Sequence, residues 1–250
     1  GYGPYEIFNP FVIWLMVVFI SGISFAGYVL MKWFGEKGIA LAGILGGFIS
    51  STAVTTSFAE RSKKEKKIYR ALILGVLLAN TVMFIRILIE VFVINRHLFL
   101  KILFPIMVLF FVSITFSYFI WRKAKNIKGK VELKSPFTLG PALKFGAFFA
   151  LILALVKLGD VYFASKGVYL VSALSGFAGI DAITVSLSQL SKGALEESIA
   201  VKGIIVAILS NIGVKGGIAY IFGNREKFGK IILAFYVALI FVGFGLLWFL

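Results

Sequence analysis

The chain has 250 residues, a formal net charge of +15, and a composition that is 60% hydrophobic. A soluble domain of this size cannot bury so much apolar surface, because surface-to-volume scaling leaves much of it exposed. The absence of cysteine excludes disulfides, thiolate metal sites and cysteine nucleophiles. The composition therefore predicts a protein that crosses the lipid bilayer several times.

Eight apolar segments follow one another along the chain, and each is long enough to span a hydrocarbon core of roughly 30 Å. Backbone polar groups in lipid must be satisfied within each segment, so the predicted fold class is an all-α integral membrane protein. The segments cover residues 10–33, 38–59, 70–94, 99–121, 138–159, 167–190, 199–221 and 228–250.

The basic residues cluster in two connections, "ERSKKEKKIYR" at 60–70 and "RKAKNIKGKVELK" at 122–134. Positive connections mark the cytoplasmic face of a membrane protein. With eight crossings, both connections and both termini fall on that face of the cell membrane. Nucleic acid is not an expected partner, because the charges lack an interleaved aromatic stacking platform.

An internal repeat relates the two halves of the chain. "LGGFISSTAVTTSFAERSK" at 45–63 aligns with "LSGFAGIDAITVSLSQLSK" at 174–192, at an offset of 129 without a gap. The alignment predicts two four-helix repeats, 1–125 and 135–250, joined by the basic linker 122–134. Four crossings per repeat give both repeats one orientation, which we expect; if segments two and six enter and leave on one side, the repeats are inverted.

Glycines interrupt the second and sixth segments at matching places, and Gly46, Gly47, Gly176 and Gly179 are the predicted hinges. Interrupted helices at corresponding positions of two repeats are typical of transporters. Close packing of small residues is the alternative explanation of the glycines. It leaves the hydroxyl-rich tails of both motifs and the aspartate of the second motif unexplained.

Asp181 lies deep in segment six, where a carboxylate costs about 2.5–3.5 kcal/mol. A proton, a basic partner or a bound cation would offset that cost. Oxygen ligands suit hard cations, and hydroxyl and amide groups accompany Asp181 in both motifs and on the helices that follow them. The predicted ion-binding set is Asp181, Thr184, Thr52, Thr55, Ser188, Asn80 and Asn211.

Two basic residues at membrane depth, Arg86 and Lys215, stand at equivalent positions of the two halves. Either could serve as the counter-ion of Asp181. The alternative is a buried ion pair that only fixes helix packing.

An enzyme is not predicted. The one histidine, His97, lies in a connection, so no histidine base is available at membrane depth for a serine nucleophile. An aspartyl protease needs two facing carboxylates, and "GID" at 179–181 is a poor match to its motif. The chain has neither a phosphate-binding loop nor a dinucleotide fingerprint, and no cofactor is expected.

Three motifs, at 9–29, 46–59 and 175–190, resemble the C-terminal membrane domain of MgtC/SapB-related prokaryotic proteins, a domain of unknown function. In that family the domain often follows an MgtC-like membrane domain. The resemblance therefore implies a role in ion homeostasis and, as protein partners, a fused MgtC-like domain or further copies of the chain.

Three functions remain open from the sequence. The first is a transporter or channel for a small inorganic cation, either magnesium or a proton-coupled metal ion, with a midplane site between the repeats. The second is a non-conducting regulatory or scaffold protein, and the third is an anion pathway.

Overall fold

The computed structural model describes residues 9–34, 38–124 and 139–250, and all regular structure in these ranges is helical. The predicted all-α class is confirmed. Of the basic linker 122–134, residues 125–134 lie outside the described ranges. The helices are α1 (Pro10–Phe34), α2 (Ile39–Lys64), α3 (Tyr69–Ile94), α4 (Arg96–Ala124), α5 (Leu139–Ala178), α6 (Asp181–Leu190), α7 (Glu197–Phe222) and α8 (Lys230–Phe249), with a π-helical turn at Arg225–Gly229.

Seven helices within the described ranges are long and apolar enough to cross a membrane, which indicates a multi-pass membrane protein. They are α1 to α5, α7 and α8. Helix α6 has only 10 residues and is too short to cross. The count is seven rather than the expected eight because α5 combines segment five with the first part of segment six, whose remainder is the short α6. Length and apolarity alone include α2 and the whole of α5, although both contain an internal reversal.

Helix α2 folds back on itself at Ser50, whose φ of −166° and ψ of 109° are extended rather than helical. The carbonyl of Ile39, before the break, and the ring of Phe58, after it, both lie against Gly75 of α3. Residues on either side of the break therefore return to the same level of α3. Segment two enters and leaves at one end of α3 and is a re-entrant hairpin.

Helix α5 also reverses, at Ala164, where φ is 50° and ψ is −144°. A Cβ on Gly159 would lie 3.0 Å from the carbonyl carbon of Gly167. In a continuous helix, residues this far apart in sequence are separated by about 12 Å. The close approach shows that the first part of α5 and its second part form an antiparallel pair.

The second part of α5 and α6 form another re-entrant hairpin, broken between Ala178 and Asp181. A Cβ on Gly203 of α7 would lie 2.9 Å from Leu187 of α6 and 3.6 Å from Val168 of α5. Segment six thus returns to the level of α7 at which it entered, as segment two does on α3.

Only one of the four predicted hinge glycines lies at a helix break. Gly179 lies at the break before α6, and its role as a hinge stays a prediction. The break in α2 falls at Ser50, beyond Gly46 and Gly47, which stay inside helical backbone. A Cβ on Gly47 or Gly176 would collide with the neighbouring helix, α3 or α7. At these two positions glycine permits close helix packing.

The two halves of the chain run in opposite directions. Tyr69 at the start of α3 lies beside Lys227, just after α7 ends, with 5.9 Å between the ring centroid and Nζ. Asn95, just after α3 ends, donates a hydrogen bond of 3.0 Å to Ser191, just before α7 begins. Helices α3 and α7 are therefore antiparallel, and the expected parallel orientation of the halves is wrong. Each half contributes three crossings and one hairpin, and an odd number of crossings inverts the second half.

The reversal changes which parts of the chain share a face. Arg70 donates a hydrogen bond of 3.3 Å to the carbonyl of Lys123, so connection 60–70 and the end of α4 lie together, as predicted. The start of α1 and the end of α8 lie at the opposite face. The expectation that the termini share a face with connection 60–70 is therefore wrong.

Candidate functional site

Arg86 of α3 lies against the tip of the first hairpin, where α2 bends at Ser50. Its Nη1 donates to the carbonyl of Ile49 at 3.2 Å and to that of Gly47 at 3.4 Å. These carbonyls end a helical stretch and lose intrahelical partners because Ser50 leaves the helical conformation. A cation also complements the negative end of the helix dipole. The break therefore creates the binding place for this buried guanidinium.

Asp181 occupies the tip of the second hairpin, in the first turn of α6. The Nη2 of Arg86 lies 2.9 Å from its Oδ2, and 28% of the aspartate side chain is exposed. A carboxylate at a helix N-terminus complements the positive end of the dipole. Arg86 thereby joins the broken helix of one half to the broken helix of the other, as the predicted counter-ion of Asp181.

Glu90 stands one turn beyond Arg86 on α3, and its side chain is 0% exposed. Its Oε1 lies 3.9 Å from Arg86 Nη2, which is too long for a hydrogen bond. Among the described residues, neither carboxylate oxygen of Glu90 has a hydrogen-bond donor. The site therefore contains two carboxylates that compete for one guanidinium.

Lys215, the equivalent of Arg86 on α7, is fully buried but differently placed. Its Nζ lies 3.2 Å from Asn80 Oδ1 and 3.0 Å from Met83 Sδ. No carboxylate of the described residues forms an ion pair with it. Lys215 adds a positive charge near the tips without an ion pair to Asp181, whose partner is Arg86.

Asn211 binds the tip of the second hairpin as Arg86 binds the first. Its Nδ2 donates a hydrogen bond of 2.9 Å to the carbonyl of Gly176, which is the equivalent of Gly47 at the offset of 129. The predicted Asn80 and Asn211 thus both reach the site. Asn80 holds Lys215, and Asn211 caps a backbone carbonyl.

The predicted oxygen shell around Asp181 is not assembled. Thr55 donates a hydrogen bond of 2.8 Å to the carbonyl of Ser51, and the carbonyl of Thr52 accepts one of 3.0 Å from Thr56. The hydroxyls of Thr184 and Ser188 are buried without a partner among the described residues. The charged partner of Asp181 in this arrangement is Arg86.

A closed metal cage is also missing from the described ranges, which contain no cluster of three or more histidine, aspartate or glutamate side chains. The groups that meet at the hairpin tips are backbone carbonyls, two amides, the guanidinium of Arg86 with two carboxylates, and the ammonium group of Lys215. Such an arrangement can exchange one cation for another more readily than it can hold a metal tightly.

Sequence reasoning missed the pair of contacts that close the two ends of the bundle. Asn95 Nδ2 donates to Ser191 at 3.0 Å at one end, and the backbone N–H of Asn224 donates to Ser62 at 2.9 Å at the other. Both residue pairs are related by the offset of 129. Asn95 and Asn224 are also 129 residues apart, and extending the offset beyond the aligned motifs would have identified them.

A family model for a domain of unknown function (DUF4010) matches residues 18–223, a range that includes both hairpins and every charged residue of the site. The chain belongs to the DUF4010 family. An uncharacterized protein of Aquifex aeolicus (strain VF5) is 34% identical to this DUF4010 chain over 200 residues, which cover 78% of the chain and 87% of the relative. No solved structure matches it.

The predicted resemblance to a domain of unknown function is confirmed by the DUF4010 match. The comparisons do not connect this DUF4010 chain with MgtC/SapB-related proteins, so that part of the resemblance stays a prediction.

Proposed function

We propose that this DUF4010 chain transports a small inorganic cation through a midplane site between two inverted halves. One observation carries the proposal: a single buried guanidinium, that of Arg86, bonds the tip of one broken helix and the carboxylate at the tip of the other. Cation movement through this point requires that Arg86 release Asp181. The site is thus poised between a closed ion pair and an open carboxylate.

The recurrence of helix bounds supports an inverted duplication. Helix α1 covers 10–34, and the residues at an offset of 129 are the first part of α5, which ends at its turn. Ser50, at the first break, corresponds to Gly179, at the second. Inverted repeats with discontinuous helices at the membrane midplane are the architecture of many secondary transporters.

Exposure of the tips also favours transport over a purely structural role. Irregular backbone at membrane depth is tolerated only where protein buries it or where it lines a cavity. Arg86 is buried, whereas the side chain of Asp181 is 28% exposed. A carboxylate with that much free surface can receive an ion when Arg86 moves away.

The charges at the tips favour a small, weakly held cation. Asp181 and Glu90 lie beside one guanidinium, that of Arg86, while Lys215 is held by Asn80 and Met83. Release of Arg86 would leave the Asp181 carboxylate and the carbonyls of Gly47 and Ile49 without their cation. That set suits a monovalent ion, a proton or a partly hydrated magnesium ion.

The basic face of the bundle supports a position in the cell membrane with that face in the cytoplasm. The inverted order brings Lys32, Arg225 and Lys227 to the same face as connection 60–70. On the eight-crossing expectation these three residues lay on the opposite face. The fold therefore concentrates positive charge on one side more strongly than the linear sequence indicated.

Flux measurements in proteoliposomes test the proposal. The purified chain should carry at least one of Na⁺, K⁺ and Mg²⁺ faster than empty vesicles do. Asp181→Asn should abolish this flux. Asp160→Asn is the matched control: Asp160 is 23% exposed and pairs with Lys157 at 3.8 Å, away from the hairpin tips. Flux that survives Asp181→Asn at the wild-type rate would refute the site.

Lys215 supports a second candidate, an anion pathway, because it is a fully buried cation without a carboxylate partner among the described residues. The same vesicles can report chloride. Chloride flux that Lys215→Met abolishes and Asp181→Asn preserves would favour the anion pathway. Absence of flux for all four ions would instead favour a regulatory or scaffold protein, acting with a fused MgtC-like domain or with further copies of the chain.

A further inference from the structure

Glu90 is a buried carboxylate that the proposed cation site leaves without a role. Both its oxygens lack a hydrogen-bond donor in the described part of the chain, and its side chain is 0% exposed. The nearest cationic atom, Arg86 Nη2, is 3.9 Å away. An ionised carboxylate in this position would carry an uncompensated desolvation cost of several kcal/mol.

Arg86 makes no hydrogen bond to Glu90 in this arrangement, although its Nε is also buried without an acceptor among the described residues. Its Nη1 is held by the carbonyls of Gly47 and Ile49, and its Nη2 is 2.9 Å from Asp181. A protonated Glu90 removes the buried charge, because a neutral carboxylic acid costs far less to bury than a carboxylate. While Arg86 is bonded to Asp181, the geometry thus favours a proton on Glu90.

The charges around Glu90 leave few other ways to neutralise it. Asp181 of α6, whose side chain lies within hydrogen-bonding reach of Glu90, and Arg86 of its own helix are the charged groups beside it, so a protonated Glu90 can donate to the Asp181 carboxylate. From α7, Lys215 is held by Asn80 and Met83. The other titratable groups on the elements packed against α3 lie toward its ends. Arg96, His97 and Lys101 are exposed at the start of α4, and Tyr236 of α8 lies beside Thr55. Those nearer the start of α3 are Glu60, Arg61, Lys63 and Lys64 of α2, Tyr118, Arg122 and Lys123 of α4, Arg225, Glu226 and Lys227 of the π-helical turn, and Lys230 of α8.

We infer that Glu90 is a proton-binding site whose proton is exchanged for the cation at Asp181. When the site opens, the O–H bond of Glu90 breaks and the proton passes to water. Arg86 then pairs with the Glu90 carboxylate and releases Asp181, which binds the incoming cation. For a monovalent cation, one proton leaves as one positive charge arrives, so the net charge of the site is unchanged; Mg²⁺ would add one positive charge to the site for each proton released.

The identity of the exchanged cation rests on the proposed function, but the proton on Glu90 can be measured without any flux. Infrared spectra of the purified full chain should show the C=O stretch of a buried carboxylic acid at neutral pH. Glu90→Gln should remove this band, whereas Asp181→Asn should retain it. Glu60→Gln, which changes an exposed glutamate on α2, is the control and should leave the band unchanged.

The spectra also define the outcomes that overturn the inference. A band that persists in Glu90→Gln and disappears in Asp181→Asn would place the proton on Asp181. No band in the wild-type chain at neutral pH would show that Glu90 is ionised. Because Gln has the shape of protonated Glu, Glu90→Gln is expected to fold. If it does not fold, the Asp181→Asn spectrum still shows whether the band belongs to Asp181.

Proteoliposomes with an imposed pH gradient test the coupling separately. The pH gradient should drive wild-type flux of Na⁺, K⁺ or Mg²⁺. In Glu90→Gln the flux should no longer depend on the gradient, and the infrared band of the buried acid should be absent from the same preparation. Cation flux in the wild type that ignores the gradient would refute the exchange. If Glu90→Gln removes the infrared band but the wild-type chain carries no ion, Glu90 still binds a proton and the proposed transport is refuted.

Discussion

At the scale of single residues, the site depends on where helix backbone is left unsatisfied. The carbonyls of Gly47 and Ile49 are free because Ser50 interrupts α2, and a guanidinium can donate to both while also reaching a carboxylate. A lysine presents one compact ammonium group and cannot reproduce this fork. Lys215, at the equivalent position, accordingly makes a different set of contacts.

Arg86→Gln should therefore destabilise the protein by about 2–3 kcal/mol, somewhat below the roughly 3–5 kcal/mol expected for breaking a fully buried pair, because Asp181 is partly exposed. Unfolding in detergent, followed by intrinsic fluorescence, measures the change. Lys157→Gln removes a partner from a pair separated by 3.8 Å near the end of the first part of α5, beyond hydrogen-bond distance, and should cost less than about 1 kcal/mol. Equal losses for the two variants would show that Arg86 has no special structural role.

At the scale of the elements, the re-entrant hairpins depend on close approach of backbones. A Cβ on Gly43 would collide with the backbone of Gly75, and a Cβ on Gly47 would lie 2.8 Å from the Cα of Ala79. Small residues allow this approach, which replaces the hydrophobic driving force that is lost between helices in lipid. Helix α2 can thus lie along α3 although it does not cross the membrane.

Gly43→Ala is expected to destabilise the bundle by about 1–3 kcal/mol, because the added methyl group overpacks the contact between α2 and α3. Gly213→Ala, on α7, is the matched control. A Cβ there meets nothing within 4 Å, so the variant should be neutral or stabilising by about 0.5–1 kcal/mol, as alanine is the better helix former. Thermal unfolding of both variants in the same detergent tests the difference. A neutral Gly43→Ala would contradict the close contact.

At the scale of the whole molecule, the inverted order determines which connections lie on the same face of the membrane. Connection 60–70 and the end of α4 share one face, while the turn between α6 and α7 lies at the other, beside the end of α3. Eight crossings would place Lys64 and Lys192 on the same face. The fold places them on opposite faces.

Cysteines introduced at Lys64 and Lys192, both exposed, should therefore react with an impermeant thiol reagent from opposite sides of the membrane. Because the natural chain has no cysteine, each single variant gives an unambiguous signal. Labelling of both positions from the same side would restore the eight-crossing arrangement and refute the inverted order.

The two ends of the bundle are closed by related contacts, Asn95 with Ser191 and Asn224 with Ser62. If the proposed transport alternates access, covalent locking of either contact should stop it. Paired cysteines at Asn95 and Ser191, and separately at Asn224 and Ser62, joined by a short thiol cross-linker, are expected to reduce flux to the level of empty vesicles. The single-cysteine variants are the controls. Full flux in a cross-linked pair would show that that end does not open.

The sequence by itself determined the class of protein, the duplicated motif and the candidate charged residues at membrane depth. Composition and segment length predicted a multi-pass helical membrane protein, because lipid leaves the backbone no other way to satisfy its polar groups. The cost of charge at membrane depth singled out Asp181, Arg86 and Lys215. What only the tertiary structure decided is whether the broken segments cross. Both segments are long enough to span, so their length cannot reveal a reversal at Ser50 or at Gly179. The reversal is seen in the contacts: the two arms of segment two meet α3 at the same level, and the two arms of segment six meet α7 at the same level. The same reversals bring Arg86 to Asp181, leave Glu90 without a donor among the described residues, and turn the second half of the molecule over.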